Sequence, residues 1–190
     1  MKYLLLLYLI QPYIDVFIGE EPPDVKKKFA ALYKKIVRER YPGFQVVCVF
    51  FSKPSEKKEP DLSQKWDIFS LEESYTIEAC GVTFADHCDN QTYPKENDIL
   101  ELCPGPIDEL IVNGFHFSDC VEKIAKFAHK QGIQVFVDED LTELFFYGIK
   151  MGVPISREAS IRRTKKLFRE SLLLDFVREN RKGRPWLVQL

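Results

Sequence analysis

The stretch Ile107–Asp140 constrains the fold more than any other part of the chain. Leu110, Ile111 and Val112 form a short apolar run that Gly114 breaks. Ser118 is expected to N-cap a helix, because its hydroxyl can accept from a free backbone N–H one turn on. Val121, Ile124, Ala125 and Ala128 then recur at helical spacing, and Gly132 supplies the left-handed residue after the helix. Ile133–Val137 is a second apolar, β-branched run. A strand, a helix and a strand this close together predict a right-handed unit with parallel strands. In such sheets ligands sit beyond the carboxyl ends of the strands. That edge carries Asn113, Gly114, Phe115, His116, Ser118 and Cys120 from one turn, and Asp138, Glu139 and Asp140 from the other.

The rest of the chain extends this pattern. Tyr3–Ile10 is continuously apolar, as a central parallel strand buried on both faces should be, and Gln11-Pro12 ends it. The spacing predicts a helix over Asp24–Arg40, with Val25, Phe29, Leu32, Tyr33, Ile36 and Val37 on one stripe and lysines on the other. Phe44–Phe51 reads as the next strand. Ser52–Ser63 is a polar loop with two prolines. Tyr75–Ala79 and Asp98–Leu102 read as further strands, and Thr142–Lys150 and Ser156–Lys182 as helices. Residues 1–154 form the α/β domain; 155–190 are expected to be a C-terminal helix and apolar tail packed on it. Trp186-Leu187-Val188 must cover an apolar surface, on its own domain or on a second copy, so a homo-oligomer is one expectation.

Composition narrows the function. With 190 residues, 45% of them hydrophobic, the chain suits one domain with a sizeable core. A net charge of −2 gives no support for a nucleic-acid or anionic-membrane partner. Five scattered cysteines do not form a secreted disulfide framework, which points to a reducing, cytoplasmic setting. Met1–Ile10 is too short to span a membrane and reads as a strand rather than a leader. Cys80, His87 and Cys88 lack the paired short spacings of a zinc site. Asp138, Glu139 and Asp140, with Asp15, could hold Mg²⁺, but the first three are expected to cap the turn that follows them. No Gly-rich phosphate loop or dinucleotide fingerprint occurs, and neither cofactor nor metal is expected.

The spacing Gly114, five residues, Cys120-Val121, then Gly132 and Asp140 resembles the isochorismatase-like cysteine hydrolases. The resemblance implies a three-layer α/β/α fold, Rossmann-like, with a mainly parallel sheet of about five to six strands. It makes Cys120 the equivalent of the family's nucleophile, at a helix N-terminus that would favour a thiolate. The oxyanion donors would be the N–H groups of Phe115 and Cys120. The family also uses a carboxylate after the first strand and a Lys after the strand preceding the nucleophile unit. Matching Gln11 to the family's Gln puts Leu9 at the carboxylate. Matching Pro94, Asp98 and Pro104 puts Cys103 at the Lys, and Ser52-Lys53-Pro54 stands where metal-binding members carry their ligands. Leucine accepts no proton, and general-base loss costs roughly two to four orders of magnitude in rate.

Two readings follow. In one, the protein is a small-molecule hydrolase of amide or related bonds, with Cys120 as nucleophile, His116 as base and Asp15 or Asp138 orienting it, and with Asn113, Gly114, Phe115, Ser118 and Asp138 lining the ligand site. In the other, Cys120 is a small buried apolar residue, and a catalytically inactive relative binds a small molecule or a protein at the same edge.

Overall fold

The computed structural model describes residues 1–146 and 184–186. Five strands form one sheet: β1 (Lys2–Leu7), β2 (Gln45–Phe50), β3 (Thr76–Ala79), β4 (Glu109–Gly114) and β5 (Gln134–Phe136). Their order is β3-β2-β1-β4-β5, and every neighbouring pair is parallel. Leu110 and Ile111 of β4 stand opposite Val135 and Phe136 of β5, so the two runs of the Ile107–Asp140 unit are adjacent and parallel, as expected. Central β1 is buried on both faces, which its uninterrupted Tyr3–Leu7 run requires.

From β1 the chain moves outward through β2 to β3, and from β4 it moves the opposite way to β5. Right-handed crossovers therefore put α2 (Pro23–Arg40) on one face, and α4 (Glu96–Glu101) and α5 (Glu122–Lys130), which pack together, on the other. The result is the predicted α/β domain with helices on both faces. Tyr33 anchors α2: its ring meets Trp66, Phe69, Phe115 and Phe145, and its buried hydroxyl donates to Leu141 O at 3.0 Å.

Several boundaries differ from the sequence expectation. Gln11-Pro12 begins a helix, α1 (Gln11–Ile18), because proline in a first turn forfeits no helical hydrogen bond. Asp98–Leu102 is not a strand. It belongs to α4, whose first turn carries Glu96 and Asp98 and which buries Ile99 and Leu100. A short helix, α3 (Phe84–Asn90), capped by Thr83, precedes it. Ser118 does not cap α5; its backbone lies inside a π turn, Phe117–Val121, that leads into that helix. Residues 147–150 and the helix expected over Ser156–Lys182 lie outside the described residues. Trp186 is buried on its own domain, with its ring against His129 and its carbonyl accepting from Val137 N–H at 3.0 Å. Arg184 pairs with Glu122. Among the described residues no helix is long and apolar enough to cross a membrane.

Candidate functional site

The direction of travel reverses between β1 and β4, so the crevice for a ligand lies beyond their carboxyl ends. Gly114 lets β4 end against β1: a Cβ there would stand 2.6 Å from Leu7 O and 2.9 Å from Leu7 Cβ. Tyr8, directly after β1, has φ +56°, a left-handed conformation unusual for a bulky residue. It turns the ring onto Phe51, with centroids 4.4 Å apart. Tyr13 of α1 stacks on His116 at 4.3 Å and meets Phe84 edge-on at 5.9 Å. Phe51 also touches His87. Aromatic rings thus occupy the mouth that an open crevice would leave for substrate.

Cys120 lies under this layer in the π turn and is only 6% exposed. Burial, then the neighbouring Asp119 carboxylate, push its thiol up to about 12, far from the thiolate a nucleophile needs. The thiol's hydrogen-bonding neighbour is Asp119, with Oδ2 at 3.9 Å. Asp119 is itself committed: Lys123 Nζ stands 2.7 Å from its Oδ1, and the Tyr93 hydroxyl donates to Oδ2 at 2.9 Å. Burial alone would raise the Asp119 carboxyl, but Lys123 and Tyr93 outweigh it and hold the group below its ordinary range. The Lys123 ammonium also sits over the Tyr93 ring, 3.1 Å from its centroid.

The other expected members of a nucleophile group are placed apart from the sulfur. His116 stacks on Tyr13, makes no side-chain hydrogen bond to Cys120, and is kept below its usual range by burial. Asp15 is exposed on α1, accepting from Gln11 Nε2 at 2.7 Å. Asp138 is turned to the opposite face, where Arg40 Nη1 approaches its two oxygens at 3.0 and 2.8 Å and Tyr41 donates at 2.7 Å. Arg40 also pairs with Asp140 at 2.7 Å. Asp138 accepts from Asp140 N–H and caps the 3₁₀ turn Glu139–Leu141, as capping predicts. Asn113 is fully buried and ties the sheet together, its Oδ1 accepting from Asp138 N–H at 3.0 Å. Phe115 packs in the core against Tyr33, Trp66 and Phe146. The Ser118 side chain lies outside the described residues.

The position matched to the family's Lys also moves. Cys103 lies at the amino-terminal end of the sheet, where Tyr3 donates to Pro104 O and Met1 O accepts from Asp108 N–H, so it is at the edge opposite Cys120. The strand preceding β4 in the chain is β3, and Cys80-Gly81-Val82-Thr83 follows it, with no lysine. The helices between that strand and β4 are present, as α3 and α4. Leu9, at the carboxylate position, is fully buried. Cys80 donates to Val82 O, His87 Nδ1 lies 3.1 Å from Thr92 O, and Cys88 is exposed. Among the described residues no three His, Cys, Asp or Glu side chains gather as a metal site.

Beside the aromatic layer, at the carboxyl ends of β2 and β3, lies a cleft of about 290 Å³. The loop residues Ser52, Pro54, Asp61 and Gln64 form one wall, and Thr83, Phe84, Ala85, Cys88 and Asp89 the other. Sequence reading missed this cleft, because its two walls are about thirty residues apart in the chain and neither carries a motif. It also missed Asp119 and Lys123, whose i, i+4 spacing on a helix was the available signal.

An open, all-parallel α/β domain with its switch point between β1 and β4 is the class that these coordinates define. No family model matches the sequence, and no curated protein matches it. The chain is similar to an isochorismatase-like hydrolase from Alkaliphilus metalliredigens (13% identity, 88% of this chain and 90% of that one, TM-score 0.46). It is also similar to an isochorismatase from Pseudomonas putida KT2440 (14%, 74% and 70%, 0.45) and to the pyrazinamidase of Pyrococcus horikoshii in complex with zinc (14%, 87% and 93%, 0.43).

Proposed function

We propose that this protein is a catalytically inactive relative of the cysteine hydrolases that binds a small molecule at the C-terminal edge of its sheet. The observation that carries this reading is the state of Cys120, a thiol covered by aromatic rings and pushed up to about 12. Removing the base and burying the nucleophile act in the same direction, since a neutral thiol is the poorer nucleophile. The cleft beside Phe84 supports the binding half: it opens at the edge where α/β sheets take ligands, and it mixes an apolar wall with hydroxyl, amide and carboxylate groups.

Alkylation followed by mass spectrometry tests the chemical half. It is done in a Cys88→Ser background, because Cys88 is the exposed thiol. Cys120 is expected to react only as fast as the protein opens, with no acceleration between pH 6 and 9, and nicotinamide is expected to release no ammonia. Rapid labelling at pH 7 together with turnover that Cys120→Ser abolishes would overturn it. For the binding half, a fragment library followed by NMR is expected to shift resonances of residues 52–64 and 83–89, and Ala85→Trp is expected to remove those shifts.

A second reading has one observation behind it. Asp119 and Lys123 bring a carboxylate and an ammonium beside the sulfur, the two group types that the hydrolase family uses. Under that reading Asp119→Asn abolishes turnover while leaving the fold intact.

A further inference from the structure

The turn that carries Cys120 is held from outside by a segment more than twenty residues further along the chain. Thr142 bridges to Gly114 at the start of the turn. One residue later, Glu143 Oε2 accepts from the backbone N–H of Phe117 at 2.7 Å. Phe117 opens the π turn, so this N–H has no partner within the turn itself. π turns are uncommon and need outside support, and here a single carboxyl supplies it. Glu143 is only partly accessible, and its other neighbours are the buried Thr142, Phe145 and Phe146.

We propose that Glu143 is a pH-responsive latch on this turn. The protonated carboxyl stays buried and holds the Phe117 N–H; on ionisation the proton passes to water, the carboxylate follows it into solvent, and the N–H is released. Burial is the larger influence on the carboxyl and lifts it to about 7, against the opposing pull of the Phe117 N–H. The charged and titratable groups on the adjoining elements are already engaged. Asp119 is on Lys123, Glu122 on Arg184, and Asp138 and Asp140 on Arg40. His116 is held below its ordinary value, so it titrates below the latch. The inference is independent of whether the thiol reacts and of what occupies the cleft.

The test is the Phe117 amide resonance and the Glu143 carboxyl ¹³C shift, followed from pH 5 to 9 in the full chain. Both are expected to trace one sigmoid with a midpoint near 7, and Phe117 amide exchange, corrected for its intrinsic pH trend, is expected to quicken at least tenfold across it. Glu143→Gln keeps an acceptor and is expected to flatten the Phe117 curve. His116→Gln is expected to leave it unchanged. A wild-type carboxyl midpoint below pH 5.5, a sigmoid that persists in Glu143→Gln, or one that vanishes in His116→Gln would each overturn the latch. The wild-type carboxyl titration decides the matter even where a variant fails to fold.

Discussion

Replacing Gly114 by alanine tests the closest approach in the sheet. A Cβ at this position would lie 2.6 Å from Leu7 O and 2.9 Å from Leu7 Cβ, and both belong to the central strand rather than to a flexible side-chain end. Neither can retreat, because Leu7 pairs with Gly114 in the parallel register and is 1% exposed. Forcing a methyl into such a core costs about 1–3 kcal/mol. The backbone adds strain, since φ is +157°, a region that side-chain-bearing residues rarely enter, and such strain is worth about 1–3 kcal/mol. A midpoint of about 4 kcal/mol is a large share of the 5–15 kcal/mol typical of a domain. For a chain of this length it corresponds to a fall in Tm of roughly 8–16 °C. Differential scanning calorimetry measures it directly. A Gly114→Ala protein melting within about 2 °C of wild type would refute the β1–β4 contact and, with it, the placement of the turn that follows.

Other perturbations separate the parts of the account. Arg40→Met leaves Asp138 and Asp140 buried without their shared cation and is expected to cost about 3–5 kcal/mol in urea unfolding, with Arg40→Lys rescuing little because the two-carboxylate fork is lost. Tyr33→Phe removes the donor to Leu141 O and is expected to cost about 1–3 kcal/mol by the same assay. A disulfide-exchange reagent is expected to find one fast thiol, Cys88, in the native protein and all five in guanidinium. The raised Glu143 carboxyl carries a linkage sign. Its contribution to stability is full below the ordinary carboxyl range near 4.5 and is lost as pH rises through about 7. Wild type is therefore expected to lose Tm relative to Glu143→Gln between pH 5 and 8, and parallel curves would contradict the burial.

The sequence made the framework legible wherever a local signal matched the tertiary outcome. Tyr3–Leu7, Val46–Phe50 and Leu110–Val112 are apolar runs because parallel strands are covered on both faces, and α2 shows its stripe because only one side meets the sheet. Asp98–Leu102 misled because Ile99 and Leu100 are apolar in either conformation, while the acidic first turn that favours α4 is a weaker signal. That misreading displaced the frame by a whole element and put Cys103 at the wrong end of the sheet. The position of Cys120 on its turn was legible; its environment was not. Whether a thiol ionises depends on Tyr8, Tyr13 and Asp119 around it, and only Asp119 is adjacent in the chain. Glu143 was hidden for the same reason, since its partner N–H is 26 residues away.

The central claim, an inert thiol on a preserved parallel scaffold, is most directly tested by the ¹³Cβ shift of Cys120 followed from pH 6 to 10 in the folded protein. The account predicts the shift of a neutral thiol across the whole range. A thiolate transition centred below the ordinary cysteine value of about 8.5 would contradict it.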